Sequence, residues 1–267
     1  MRVFLLEERA TKWYAKKIKI IDDKIVLNYN FEKLKINKKI KIVQKLKTIL
    51  NENNVKKIII SENLKKDKDL SNLLYSNGFS IIDGKGLQKK LINKILDKIC
   101  KQNALKEQET KLSILINGIN TWGLNLIEEL SKKFKSLNVV TNNINCFKGV
   151  KDRLWEEYGI VVTLTNNKKK ALSNSEIILN VDFPEELINK YILFDTSILI
   201  NLEENVKVKK KRFCGKIIND YKICLKKDSD IYKALESDVY KNYDIKDLAE
   251  VYVIGNPKEL QNIIICD

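Results

Sequence analysis

The residues best placed to do chemistry are Gly118-Ile119-Asn120-Thr121-Trp122-Gly123. An apolar run over 112–116 leads into Gly118. After Gly123, Ile127, Leu130 and Phe134 recur at helical spacing. A glycine-rich turn between a strand and a helix can receive a phosphate on its backbone N–H groups. The familiar spacing is G-x-G-x-x-G. Gly118 supplies the tight exit from the strand, and Gly123 falls on the helix stripe that must lie close to the sheet. Asn120 replaces the middle glycine. Its side chain sits where a diphosphate would approach the backbone, yet asparagine tolerates a left-handed backbone and offers an amide donor. Trp122 stands beside the same position. It either borders a ligand or packs against the neighbouring domain.

The next strand ends at Thr141-Asn142-Asn143. A ribose with free hydroxyls usually meets an acidic residue there. None is present, and Lys148, Lys151 and Arg153 follow. A neutral strand end with nearby cations suits a 2′-phosphate, which points to NADP rather than NAD. The cofactor-contacting set is therefore Gly118, Asn120, Thr121, Trp122, Gly123, Asn142, Asn143, Lys148 and Asn180. Other strand ends, among them Ser61, Asn180-Val181-Asp182 and Asp195-Thr196-Ser197, are polar and suited to hydrogen bonding. For proton transfer, Asp83 and Lys85 in Asp83-Gly84-Lys85-Gly86 are the candidates, an ordinary turn being the alternative.

Composition removes several chemistries. The 267 residues contain no histidine, so Ser-His-Asp, Cys-His and histidine general-base catalysis are excluded. The five cysteines are widely spaced without a CxxC pair, so no metal site is expected and the thiols read as reduced and mostly buried. The net charge of +15 invites a nucleic-acid reading. Almost all of the cations are lysines spread along the chain, and only Arg2, Arg9, Arg153 and Arg212 are arginine. Lysine, isoleucine and asparagine are abundant together, as an AT-rich genome would favour. The one dense run, 207–212, fits a strand edge guarded by lysines as well as a phosphate track. Nucleic-acid binding is therefore the less favoured alternative. No apolar run approaches the roughly 20 residues needed to span a bilayer. Glu7 interrupts any signal-peptide core, so a cytoplasmic protein is expected. The expected partner is a dinucleotide or another small molecule, and a homodimer is left open.

Around the turn, strand and helix signals alternate. Strands are expected at 112–116, 137–140, 160–164, 177–181 and 191–194. Helices are expected at 123–135, at 148–158 ending on Gly159, and at 168–172, with a helical turn after Pro184. Continuous apolar strands separated by helices mean a parallel sheet covered on both faces. The first hundred residues alternate similarly. Strands are expected at 2–6, 17–21, 24–27, 57–60 and 79–82, and helices at 39–53, at 67–77 and after Gly86. Beyond residue 202 the spacing predicts one or two strands in 213–225, a helix over 229–241 and a last strand at 251–254. The fold class is α/β: a Rossmann-like parallel sheet with helices on both faces, preceded by a smaller α/β domain. The expected division is 1–105 for the N-terminal domain and 106–267 for the nucleotide-binding domain with its C-terminal extension.

LSILINGINTWG, LNVVTNN, YGIVVTL, SEIILNV and YILFDTS, in that order, resemble NAD(P)-binding Rossmann domains of the amino-acid-dehydrogenase-like type. This grouping includes shikimate dehydrogenase and glutamyl-tRNA reductase. The resemblance covers about residues 106–200. It implies a cofactor at Gly118, Asn120 and Gly123, with Asn142 and Asn143 near the adenosine ribose. An NADP-linked oxidoreductase of unknown substrate is one expectation. A non-catalytic Rossmann-like protein binding a partner or another metabolite is the other.

Overall fold

The computed structural model describes residues 2–7, 17–21, 24–209, 213–226, 232, 241–252 and 260–266. The chain forms two compact units, Met1–Leu87 with Ile223–Asn262, and Gln88–Lys222 with Ile263–Asp267. By packing, residues 223–262 group with the first unit and residues 263–267 with the second.

The first unit carries β1 (Arg2–Glu7), β2 (Ile18–Ile21), β3 (Lys24–Leu27), β4 (Lys57–Ile60) and β5 (Ser80–Ile81). They lie in the order β2-β3-β1-β4-β5. β3 and β4 flank β1 in parallel, β5 runs parallel to β4, and β2 is an antiparallel edge. Helix α1 (Ile36–Glu52) follows β3 and buries Ile42, Val43, Leu46 and Leu50 on one stripe. Then come α2 (Glu62–Lys65) and α3 (Lys68–Ser76). Asp67 caps α3 by accepting from the Leu70 N–H at 3.0 Å. The buried ammonium of Lys39 pairs with the same carboxylate at 2.7 Å. The core joins Leu5, Ile25 and Leu27 of the sheet to Leu46, Leu50, Leu70 and Leu74 of the helices.

Helix α4 (Lys85–Gln102) leads into the second unit, burying Leu91, Ile92, Ile95, Leu96 and Ile99. There follow β6 (Lys111–Leu115), α5 (Thr121–Lys133), β7 (Ser136–Val140), α6 (Ile144–Tyr158) and β8 (Thr163–Thr165). The second half of the sheet brings α7 (Lys168–Leu172), β9 (Ile177–Asn180), α8 (Glu185–Ile188), β10 (Ile198–Asn201) and β11 (Lys216–Ile218). The order is β11-β10-β9-β6-β7-β8, with every pairing parallel. This is the doubly wound Rossmann order, with its switch point between β6 and β9. Strands buried on both faces need apolar residues throughout, and β9 and β10 are buried at every position. Gly159 closes α6 at φ +64, as its C-cap. A two-stranded sheet joins β12 (Asp220–Leu225) to β13 (Leu260–Cys266), and α9 (Ile245–Tyr252) lies between them in sequence.

Three expectations change. Residues 191–194 form a turn and loop, and β10 is the fifth strand of the sheet instead. The Phe194 N–H bonds to the Leu172 carbonyl, and Leu193 is buried in the helix-side core, so these apolar residues cap the core without joining the ladder. Asp195-Thr196-Ser197 therefore precedes a strand and does not sit at a carboxyl end. Val251 and Tyr252 end helix α9 and are not a strand: the helix Ile245–Tyr252 runs through them and buries Leu248 and Ala249. Residues 253–254 lie outside the described residues, as does almost all of the helix expected at 229–241. Val206–Lys209 is irregular, not a strand edge: the Lys207 N–H bonds to Glu185, and Val206 is buried. Residues 210–212 of that run lie outside the described set.

Gly123 is where α5 meets the sheet most closely. A Cβ there would stand 2.7 Å from the Ile116 Cδ1 atom. Gly123→Ala is expected to lower the unfolding free energy by about 1 kcal/mol, overpacking outweighing the gain in helix propensity. In an Ile116→Val background, which removes Cδ1, the same change is expected to be neutral or stabilising. Urea unfolding of the four proteins measures this coupling.

Candidate functional site

Parallel strands leave their last donors and acceptors at the carboxyl edge, and ligands of open α/β sheets gather there. At the switch point that edge is formed by Asn117 and Gly118 after β6, Thr141-Asn142-Asn143 after β7, and Val181-Asp182 after β9. Asp182 is half-buried. Its Oδ1 and Oδ2 accept from the Asn117 N–H at 2.8 and 2.9 Å, and Oδ2 accepts from the Gly118 N–H at 2.6 Å. A Cβ on Gly118 would lie 3.2 Å from the same carboxylate oxygen, so glycine gives this approach its room. Two strand-exit amides are thereby held by an acid of the chain itself.

Asn120 is the N-cap of α5. Its backbone is extended, at φ −152° and ψ 160°, and not left-handed. Its Oδ1 accepts from the Gly123 N–H at 2.8 Å. The side chain that replaces the middle glycine therefore satisfies one of the orphan donors at the helix start. The N–H groups of Thr121 and Trp122 lie in the same first turn and have no intrahelical acceptor. Trp122 is half-buried, with the Lys89 ammonium of α4 5.4 Å from its ring centre.

The strand-end asparagines are tied together. Asn117 Oδ1 accepts from the Asn142 N–H at 2.9 Å, and the Asn117 carbonyl accepts from Asn143 Nδ2 at 3.2 Å. Lys168 is buried, and its ammonium donates to Asn142 Oδ1 at 2.5 Å and lies 5.9 Å from the Phe183 ring centre. It places a cation at the end of β7. Lys148 is exposed on α6. Asn180 is buried and commits its whole side-chain amide. Nδ2 donates to the Phe183 carbonyl and to Asn201 Oδ1, and Oδ1 accepts from the Phe183 N–H. Asn201 Nδ2 then donates to Asn219 Oδ1 at 2.9 Å. These three asparagines form a ladder across β9, β10 and the residue after β11.

Asp83 and Lys85 belong to the first unit. Asp83 is exposed, and its Oδ1 accepts from the Lys85 N–H at 3.1 Å across Gly84, whose φ is +81. The thiols differ from expectation. Cys100 is buried, and burial pushes it up to about 11, whereas Cys146 and Cys214 are exposed. Among the described residues no group of His, Cys, Asp and Glu could hold a metal ion, and no helix is long and apolar enough to cross a membrane.

Asn117 and Lys168 were not singled out from the sequence. Asn117 reads as part of the turn only once its side chain is seen to bind the next strand end. Lys168 is one lysine among many. Asp182 was visible as a strand-end acid, but nothing in its spacing tied it to Gly118, which lies 64 positions away.

No family model matches this chain, and no curated protein matches it. Solved structures similar to it include L-tryptophan dehydrogenase from Nostoc punctiforme, at 13% identity over 70% of this chain and 53% of that one, TM-score 0.37. The A chain of dipicolinate synthase from Bacillus subtilis shares 11% identity over 61% of this chain and 55% of its own, TM-score 0.36. Shikimate 5-dehydrogenase from Listeria monocytogenes, solved with shikimate and NAD, shares 10% identity over 82% and 85%, TM-score 0.34. The chain spans about half the length of the first two.

Removing the Asp182 carboxylate leaves two strand-exit amides without their acceptor. Asp182→Ala is expected to cost about 2–3 kcal/mol, in the range of lost charge-assisted hydrogen bonds. Asp182→Asn, which keeps one acceptor oxygen, is expected to cost less than half of that. Guanidinium unfolding followed by tryptophan fluorescence measures both.

Proposed function

We propose that this chain is a Rossmann-type binding protein whose phosphate turn serves the fold, and whose switch-point crevice takes a small hydrogen-bonding metabolite other than a dinucleotide. The observation that supports this is the Asp182 carboxylate on the Asn117 and Gly118 amides. A dinucleotide diphosphate seated on this turn would lie beside that charge. Two like charges about 4 Å apart repel by roughly 4 kcal/mol at an effective dielectric constant of 20. Asn120 acts in the same direction, since its side chain already takes the Gly123 N–H. What remains for a ligand is the Asn142 Nδ2 and Asn143 Oδ1 ends of two exposed side chains whose other groups bind Asn117, Thr141 and Lys168, together with the outer face of Asp182 and the first-turn N–H groups of α5.

A second reading is an NADP-linked oxidoreductase, and one observation favours it. Lys168 puts a buried cation against Asn142 at the end of β7, where the adenosine ribose of a dinucleotide would lie. In that reading Lys168 and Lys148 meet the 2′-phosphate, and the Asp182 side chain turns away when the diphosphate binds.

Titration calorimetry and thermal shift with NADPH and NADH separate the two. The first reading expects no heat and no shift at millimolar cofactor. It also expects Asp182→Asn combined with Asn120→Gly to gain measurable NADPH binding. Micromolar NADPH binding by the unmodified protein, weakened tenfold or more by Lys168→Met, would establish the second reading and sink the first.

A further inference from the structure

The first unit has its own switch point. Its parallel strands run β3-β1-β4-β5, so the chain order reverses at β1 and β4. The carboxyl edge there is covered by residues 241–252. The Glu62 N–H, just after β4, bonds to the Asn242 carbonyl at 2.9 Å, and Tyr243 stacks edge-on against Phe4 of β1 at 5.4 Å. Helix α9 continues from this contact. It carries two acids at i and i+3, Asp247 and Glu250, which share a face.

Both acids are used inward. Asp247 has no exposed surface. Its Oδ2 meets the ammonium of Lys65 on α2, and its Oδ1 has no hydrogen-bond partner. Glu250 accepts from the Gly86 N–H at 3.2 Å, at the start of α4. The two glycines of that turn make the room. A Cβ on Gly84 would lie 2.7 Å from the Lys246 side chain, and one on Gly86 would lie 2.5 Å from the Glu250 carboxylate. Ser61, which follows β4 just before the Glu62 amide that bonds to Asn242, is buried, and its Oγ also lacks a partner. A carboxylate with a bare buried oxygen is costly when ionised, and one cation on its other oxygen offsets only part of that cost.

We propose that α9 is a pH-sensitive cover over the carboxyl edge of the first sheet, seated firmly while its two inward acids carry protons and loosened as they ionise. Lifting it uncovers Ser61, Lys65 and the amides at the start of α4.

The charges facing the two acids, among the described residues, are Lys65 from α2, Asp244 and Lys246 from the start of α9, and Asp83 from the α4 turn. Burial pushes Asp247 up to about 7 against the pull of Lys65, with Asp244 adding to the rise. Burial, and then Asp83, raises Glu250 as well, against the backbone N–H groups of Gly84, Gly86 and Leu87. An acid that holds its proton more tightly when seated favours the seated state at low pH. That advantage is lost as pH rises from the ordinary carboxylate range through about 7, and is level above it. For Asp247 alone, the seated population relative to the lifted one falls roughly tenfold between pH 6 and pH 8.

Hydrogen–deuterium exchange of the full chain at pH 6 and pH 8, expressed as protection factors corrected for intrinsic exchange, tests this. Peptides over 241–252 are expected to lose protection roughly tenfold, with peptides over α1 unchanged. Asp247→Asn is expected to restore most of the protection at pH 8, and Glu250→Gln to restore less. Should Asp247→Asn fail to fold by circular dichroism, Lys65→Met serves in its place. Without its cation the loss between the two pH values is expected to grow. Equal wild-type protection at both pH values overturns the proposal. So does an unchanged loss in Asp247→Asn or Lys65→Met, or a parallel loss over α1, which would mean that the whole unit unfolds.

Discussion

The second unit depends on one carboxylate. A parallel sheet with its switch point between β6 and β9 leaves two adjacent strand exits side by side, and the exit of β6 turns sharply at Gly118. The N–H groups of that turn point into the crevice and must be matched by something. In a cofactor-binding turn the match is a diphosphate. Here it is Asp182, arriving from the neighbouring strand β9 with hydrogen bonds of 2.6 to 2.9 Å. The bond also ties β6 to β9 beyond the end of their ladder, where the sheet would otherwise splay. Asn120 completes the arrangement by capping α5 from within the turn.

The same solution extends along the edge. Asn180 and Asn201 are partners in register on β9 and β10, and Asn219 follows β11 one residue after the Ile200–Ile218 pair. Each amide donates to the next, and Asn219 closes the series on the Val206 backbone through both its Oδ1 and its Nδ2. Buried amides are costly unless every donor and acceptor is met, so a ladder of this kind fixes the relative heights of the three strands. On the β7 side of the edge, Asn142 and Asn143 are exposed.

The alternation of continuous apolar runs with helical stripes made the sheet of the second unit readable, because strands buried on both faces are apolar along most of their length. Gly118 and Gly123 were readable for the same reason, since their tasks follow from the strand–turn–helix itself. The stretch 191–194 misled because four consecutive apolar or aromatic residues fit a buried strand as well as a core-capping loop, and only its bond to Leu172 decides. Tyr252 misled because a short β-branched and aromatic run followed by Gly255-Asn256-Pro257 imitates a strand and its turn. What no local pattern could carry was the pairing of Asp182 with Gly118, or of Glu250 with Gly86, 164 positions apart. Such pairings are made by topology, and a sequence shows them only as unremarkable acids.

Acids are scarce here: 35 against 50 lysines and arginines. Their placement is accordingly informative. Asp67 caps α3 while holding the buried Lys39, Asp182 takes the turn before α5, and Glu250 takes the turn before α4. Each sits where backbone N–H groups converge, and where an external anion would otherwise be drawn. A surface this basic attracts anions of every kind without selectivity. Filling these turns from within leaves the lysine surface to do the attracting and keeps the buried donors out of the competition. The strand–turn–helix at Gly118–Gly123 is thus a hydrogen-bonded joint of the scaffold, with its strand-exit amides held by Asp182 and its helix capped by Asn120.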